Sequence, residues 1–99
     1  MNQHTRDPEG VPNFDAMEDL ELLNFHNEHR DGGKGWDQIF EPAVVSKEVG
    51  MAVTTQLSLY AWELYLARLD RHDGQIRRAL ECEALAQRIY EQLPEWARW

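Results

Sequence analysis

His26 and His29 stand three residues apart with Glu28 and Asp31 beside them, a grouping of imidazole and carboxylate that raises metal chemistry first. Zinc takes three or four ligands in a fixed shell, and histidine pairs on a zinc-binding helix commonly stand four apart. Here the spacing is three, His4 and His72 lie far off in the chain, and Cys82 is the single cysteine. A di-iron bundle asks for repeated Glu-x-x-His, which is missing. The pair is expected on the surface or rim of a helix, with no metal and no other cofactor.

Gly32-Gly33-Lys34-Gly35 has the composition of a phosphate cradle. A nucleotide loop, however, places Lys before Ser or Thr between a strand and a helix. Lys34 is followed by Gly35 and Trp36, so the segment reads as a linker. Cys82 falls among Ala79 and Ala86 on an apolar helical face, where burial makes a thiol inert. Ser46 and Ser58 have no base positioned in sequence to activate them. No catalytic residue is assigned. Glu83, at the edge of the same apolar face, needs a cation, and Arg68 or Arg71 can supply it across a hairpin.

Binding chemistry has better candidates. Trp96, Arg98 and Trp99 crowd the last residues, and tryptophan and arginine are enriched where proteins grip one another. Either this tail folds back to cap a helical hairpin, or it meets a partner. Trp62, on an apolar helical stripe, and the carboxylates of Glu18, Asp19 and Glu21 complete the candidate contact set.

The elements that position these residues follow from periodicity. The 99 residues suit one domain, and 42% hydrophobic content with ten aromatics argues for a packed core. Residues 1–13, with Asp7-Pro8-Glu9-Gly10-Val11-Pro12-Asn13, read as a flexible arm. Asn13 or Asp15 can cap a short acidic helix, in which Phe14, Met17, Leu20, Leu22, Leu23 and Phe25 form a rough apolar stripe through about residue 30. The glycine linker follows, pinned to the core by Trp36, Ile39 and Phe40.

A long second helix is expected from Pro42 to Asp70, about 43 Å at 1.5 Å per residue, with Gly50 loosening or bending it. It carries two apolar stripes. Ala52, Thr55, Leu59, Trp62, Leu66 and Leu69 form one; Val49, Val53, Leu57, Tyr60 and Leu64 form the other, with a polar seam of Gln56, Glu63 and Asp70 between them. A helix apolar on two faces needs two partners. After a turn at Arg71–Gly74, ended by Gly74 or capped by Asp73, a third helix runs from Gln75 to Leu93. Its buried face is Ile76, Ala79, Cys82, Ala86, Ile89, Tyr90 and Leu93; Arg77, Glu81, Arg88 and Glu91 lie opposite, within ion-pairing reach of one another. Pro94 ends it and can start one further turn.

Charge narrows the partners. Residues 1–50 hold four Lys/Arg against eleven Asp/Glu, and residues 51–99 hold six against seven. A chain this acidic is repelled by phosphate backbones and anionic lipid, so direct nucleic-acid and membrane binding are disfavoured. No stretch approaches the roughly 20 apolar residues of a spanning helix, and the polar start lacks the core of a secretory signal. A soluble cytoplasmic protein is the expectation.

Residues 74–94, through Gly74, Ala79, Ala86 and Ile89, resemble the second half of a tetratricopeptide unit. Such units need several stacked copies to bury a core, so that likeness implies hairpin packing alone. The ending Ala79-Leu80, Arg88-Ile89-Tyr90 and Leu93-Pro94-Glu95-Trp96-Ala97-Arg98-Trp99 resembles the C-terminus of small helical proteins encoded by tailed bacteriophages. That resemblance covers the last quarter of the chain. It implies an accessory protein acting inside a bacterial cell and carries over no catalytic residue.

The expected fold is all-α: three helices, the short acidic first one packed on a long antiparallel hairpin. The expected role is a non-enzymatic interaction module that self-associates or binds a protein partner. Its alternative is an acidic inhibitor occupying a nucleic-acid-binding surface of a host protein.

Overall fold

A computed structural model describes residues 10–99, which are all-α. These residues form three helices, α1 (Asp19–His29), α2 (Lys47–His72) and α3 (Ile76–Gln92); a 3-10 turn at Phe14–Ala16 precedes α1, and another at Trp36–Gln38 lies in the loop between α1 and α2. A third such turn, Glu95–Ala97, follows α3 after Pro94. The long helix α2 is the spine: α3 packs along one side of it and α1 along another. The first helix therefore packs within its own chain.

The N-terminal region departs from a single helix. Asn13 Oδ1 accepts from the Asp15 N–H at 3.2 Å and caps the Phe14–Ala16 turn, but Met17 is extended and the helix restarts at Asp19. The Arg68 guanidinium explains the break. It donates to the backbone oxygens of Met17 and, at 3.2 Å, Asp15, taking carbonyls that a continuous helix would use internally. Glu21 then caps the new start, accepting from the Glu18 N–H at 2.9 Å. Phe14 and Leu22 are fully buried, whereas Leu20 points outward, against the apolar stripe expected for it. Residues 1–9 of the expected arm lie outside the described residues. Residues 10–13 are anchored: the Gly10 N–H donates to the Ile39 carbonyl at 3.0 Å, and Val11 packs against the core.

The glycine linker is a close-packed turn. Gly33 has φ +80°, and a Cβ there would sit 2.2 Å from the Met51 carbonyl oxygen. Only a residue without a side chain lets the loop lie on α2 so closely. Just beyond it Trp36 packs against the core, and Ile39 and Phe40 are buried. Helix α2 continues through Gly50, whose N–H donates to the Ser46 carbonyl at 2.8 Å. The missing side chain makes room for Trp36, whose Cε3 would be 2.2 Å from an added Cβ.

Helix α2 starts at Lys47 rather than Pro42. The N–H groups of Val44 and Val45 both donate to the Glu41 carbonyl, closing a separate turn, and Ser46 is extended. Ser46 Oγ then accepts from the Val49 N–H at 3.3 Å and caps the helix proper. At the far end Gly74, with φ +79°, is the terminator; Asp73 closes α2 and Gln75 opens α3 without a side-chain cap.

The faces of α2 are used differently from the two-stripe expectation. Val53, Leu57 and Tyr60 are buried as expected, but the second helix-facing surface is small and partly polar. His26 of α1 hydrogen-bonds the Ser58 carbonyl, and Thr54, Ser58 and Ala61 on that side are completely buried. Leu59 and Leu69, from the expected first stripe, are left exposed. On α3, Ala79 and Ala86 are buried against α2, whereas Ile76, expected on the same buried face, is 48% exposed. No helix among the described residues is long and apolar enough to cross a membrane.

Candidate functional site

The histidines are not on the rim. His26 and His29 are both buried, and each ties its Nδ1 to a backbone carbonyl, His26 to Ser58 at 2.9 Å and His29 to Lys34 at 2.6 Å. An imidazole that donates from Nδ1 fixes α1 to α2 in one case and closes the glycine loop in the other. Their rings are packed as well: His26 stacks on Trp62 at 4.8 Å and His29 lies 4.4 Å from Phe25. The missed signal is the period itself, because Leu22, Phe25, His26 and His29 fall on one helical face. Among the described residues no three His, Cys, Asp or Glu side chains converge as a metal shell requires.

Cys82 is half-buried at the polar seam rather than in the core, with Sγ 3.9 Å from Asp70 Oδ2. Burial, with the carboxylates of Glu63 and Asp70, pushes its thiol up and away from thiolate chemistry. Glu83 finds Arg71 across the hairpin, in a two-pronged pair at 2.7 and 2.8 Å that holds its carboxyl below the usual range. Arg68, the other cation offered for that role, is taken by the N-terminal turn and by Asp19 at 3.3 Å. The expected pairs of Arg77 with Glu81 and Arg88 with Glu91 do not close to ion-pair distance.

The tail divides its aromatic residues between two tasks. Trp99 folds back onto the core, its ring 4.9 Å from Phe14 and 4.7 Å from both Tyr60 and Tyr90. Its Nε1–H donates to Asp15 Oδ2 at 3.2 Å, and its carbonyl accepts from the Tyr90 hydroxyl at 2.8 Å. Arg98 donates to the carbonyls of Leu93 and Glu91, capping the orphan end of α3, and lies over the Tyr90 ring. Trp62 is held between His26 and Tyr65. Glu21 caps α1 and Asp19 pairs with Arg68, while Glu18 is exposed.

Tyr60 completes the tail clasp by donating to the other oxygen of Asp15, at 3.1 Å. Burial and the Asp15 carboxylate push its hydroxyl far up. Because the folded state holds the proton more tightly than the unfolded chain does, this contribution is whole below about pH 10 and is lost as the pH climbs beyond it. Thermal melts between neutral pH and pH 11 should therefore show an alkaline drop that is smaller in Tyr60→Phe; an identical drop in both would exclude Tyr60 as its source.

Trp96 is left free. It is 53% exposed, touches Phe40 edge-on at 5.4 Å, and forms one wall of an open depression of about 710 Å³. The other walls are Val44, Val45, Ser46 and Val49, with Val44 81% and Val49 45% exposed. The exposed carboxylates of Glu41, Glu48 and Glu95 neighbour these residues in the chain, as does Lys47. Reading a helix from Pro42 hid this surface. The signal available was Ser46, a good cap directly after two β-branched valines that a first helical turn tolerates less well. No family model, curated protein sequence or solved structure matches the chain.

Proposed function

We propose that the chain is a non-enzymatic protein-docking module whose contact face is the Val44–Val49–Trp96 depression. The observation that carries this reading is a tryptophan left exposed beside two exposed valines, while its neighbour Trp99 is folded into the core. Such a patch is a cost in water unless a partner removes it. The other groupings with chemical potential support the same reading, because His26, His29, Asp15, Tyr60 and Glu83 each make a bond that holds two elements together.

A photoreactive residue placed at position 44 tests it, with position 88, on the wet side of α3, as the control. Selective cross-linking from position 44 to a protein is expected; equal yields from both positions, or none, would refute the docking face. A second reading rests on the exposed carboxylates of Glu18, Asp19, Glu21 and Glu28: an acidic face that covers a basic, nucleic-acid-binding surface of a host protein. It suits the accessory role that the phage-like ending implies. Partner binding that survives both high salt and neutralisation of those four residues would exclude it.

A further inference from the structure

The walls of the depression have little to offer a partner's backbone. The N–H groups of Val44 and Val45 both donate to the Glu41 carbonyl, and that of Val49 donates to Ser46 Oγ. An extended chain laid across these residues finds no free donor on any of the three, so recognition by strand addition has no footing there. What remains is apolar side-chain surface on Val44, Val49 and Trp96, and the charge around it.

That charge is one-sided. Glu41, Glu48 and Glu95 are exposed beside the wall residues, Glu41 in the turn that carries Val44 and Glu95 next to Trp96. The cations nearby are turned elsewhere. Lys47 precedes Val49 by two residues, about 200° round α2, which sets it on the far side of the helix from that wall. The Arg98 guanidinium is held by the Leu93 and Glu91 carbonyls and lies over the Tyr90 ring. The positive end of α2 is already met by the Ser46 cap and by Glu48 in its first turn. A second copy is a poor occupant, since it brings a net charge of −8 against an acidic rim. Resting on the docking reading, we infer that the depression takes a basic segment of another protein. Its bulky aliphatic or aromatic side chains seat against Val44, Val49 and Trp96, and its flanking Lys or Arg residues meet Glu41, Glu48 and Glu95.

Three labelled synthetic peptides with one leucine pattern, their remaining positions Lys, Gln or Glu, test this by fluorescence anisotropy with the full chain. The Lys peptide should bind at least tenfold more tightly than the Glu peptide at low salt, and the gap should narrow as salt rises. Combined Glu41→Gln, Glu48→Gln and Glu95→Gln should weaken the Lys peptide at least about fivefold. Combined Glu28→Gln, Asp31→Asn and Glu81→Gln removes the same net charge from exposed sites elsewhere and should change binding less than about twofold. Trp96→Ala should weaken it at every salt concentration, and circular dichroism verifies that each variant is folded. Equal binding of the three peptides, equal losses from the two triple variants, or no effect of Trp96→Ala overturns the inference. If no peptide binds while position 44 cross-links a protein, the docking face stands and the basic partner falls. If neither binding nor cross-linking is seen, both fall.

Discussion

Gly33→Ala should cost about 3 kcal/mol or more, while Gly32→Ala, one residue earlier, should cost about 1–2 kcal/mol. Both glycines have positive φ, +64° at Gly32 and +80° at Gly33, so both substitutions carry the strain of left-handed backbone. They differ in what the new methyl meets. At Gly32 there is nothing within 4 Å; at Gly33 the Met51 carbonyl oxygen is 2.2 Å away and Met51 Cα is 2.6 Å away. A flexible side chain could rotate aside, but this is backbone in the first turns of α2, and relief requires the loop to lift. Trp36 and the buried Ile39 and Phe40 follow within the same segment, so lifting it loosens their packing too. Urea unfolding of the two variants measures the difference directly, given unchanged slopes. Equal midpoints would mean that loop and helix are not in close contact.

Trp99→Ala should destabilise the fold by about 2–3 kcal/mol, below the roughly 3–5 kcal/mol of a fully buried aromatic because Trp99 is half-buried. The substitution removes edge contacts with Phe14, Tyr60 and Tyr90 together with the indole bond to Asp15. Trp96→Ala, three residues away, should change stability by about 0.5 kcal/mol or less, as exposed positions usually do. Its effect belongs to partner docking, where cross-linking from position 44 should be lost. Thermal melts and cross-linking on the two tryptophan variants therefore give opposite patterns. Comparable melting temperatures for both would show that the tail does not hold the core.

The helices were legible because burial imposes a period. Ala79, Ala86 and Leu93 mark the inner face of α3, and Val53, Leu57 and Tyr60 that of α2, and local sequence carries both patterns. Gly74 and Pro94 end their helices for reasons internal to the residues themselves. What stayed hidden was decided by distant partners. Arg68 breaks the first helical stretch from 51 residues away. Trp36 gives Gly50 its reason, as Met51 does for Gly33. The histidines could not be placed from their own turn, because the Ser58 carbonyl that makes burial of His26 tolerable lies 32 residues on. The tail is divided: Trp99 folds back, one of the two outcomes offered, while Trp96 stays exposed. The Val44–Val49–Trp96 depression was the least visible feature, since its walls come from two segments that meet only after the hairpin has closed.

The Asp15 carboxylate accepts from Trp99, 84 positions away, with one oxygen and from Tyr60, 45 positions away, with the other. Closing loops of these lengths costs more chain entropy than closing the α2–α3 hairpin, so the hairpin can form before the clasp does. Until the clasp closes, Phe14, Tyr60 and Tyr90 lack the indole that covers them. A small aromatic peptide present during refolding should compete for that place and slow the appearance of the native form, while having little hold on the finished protein.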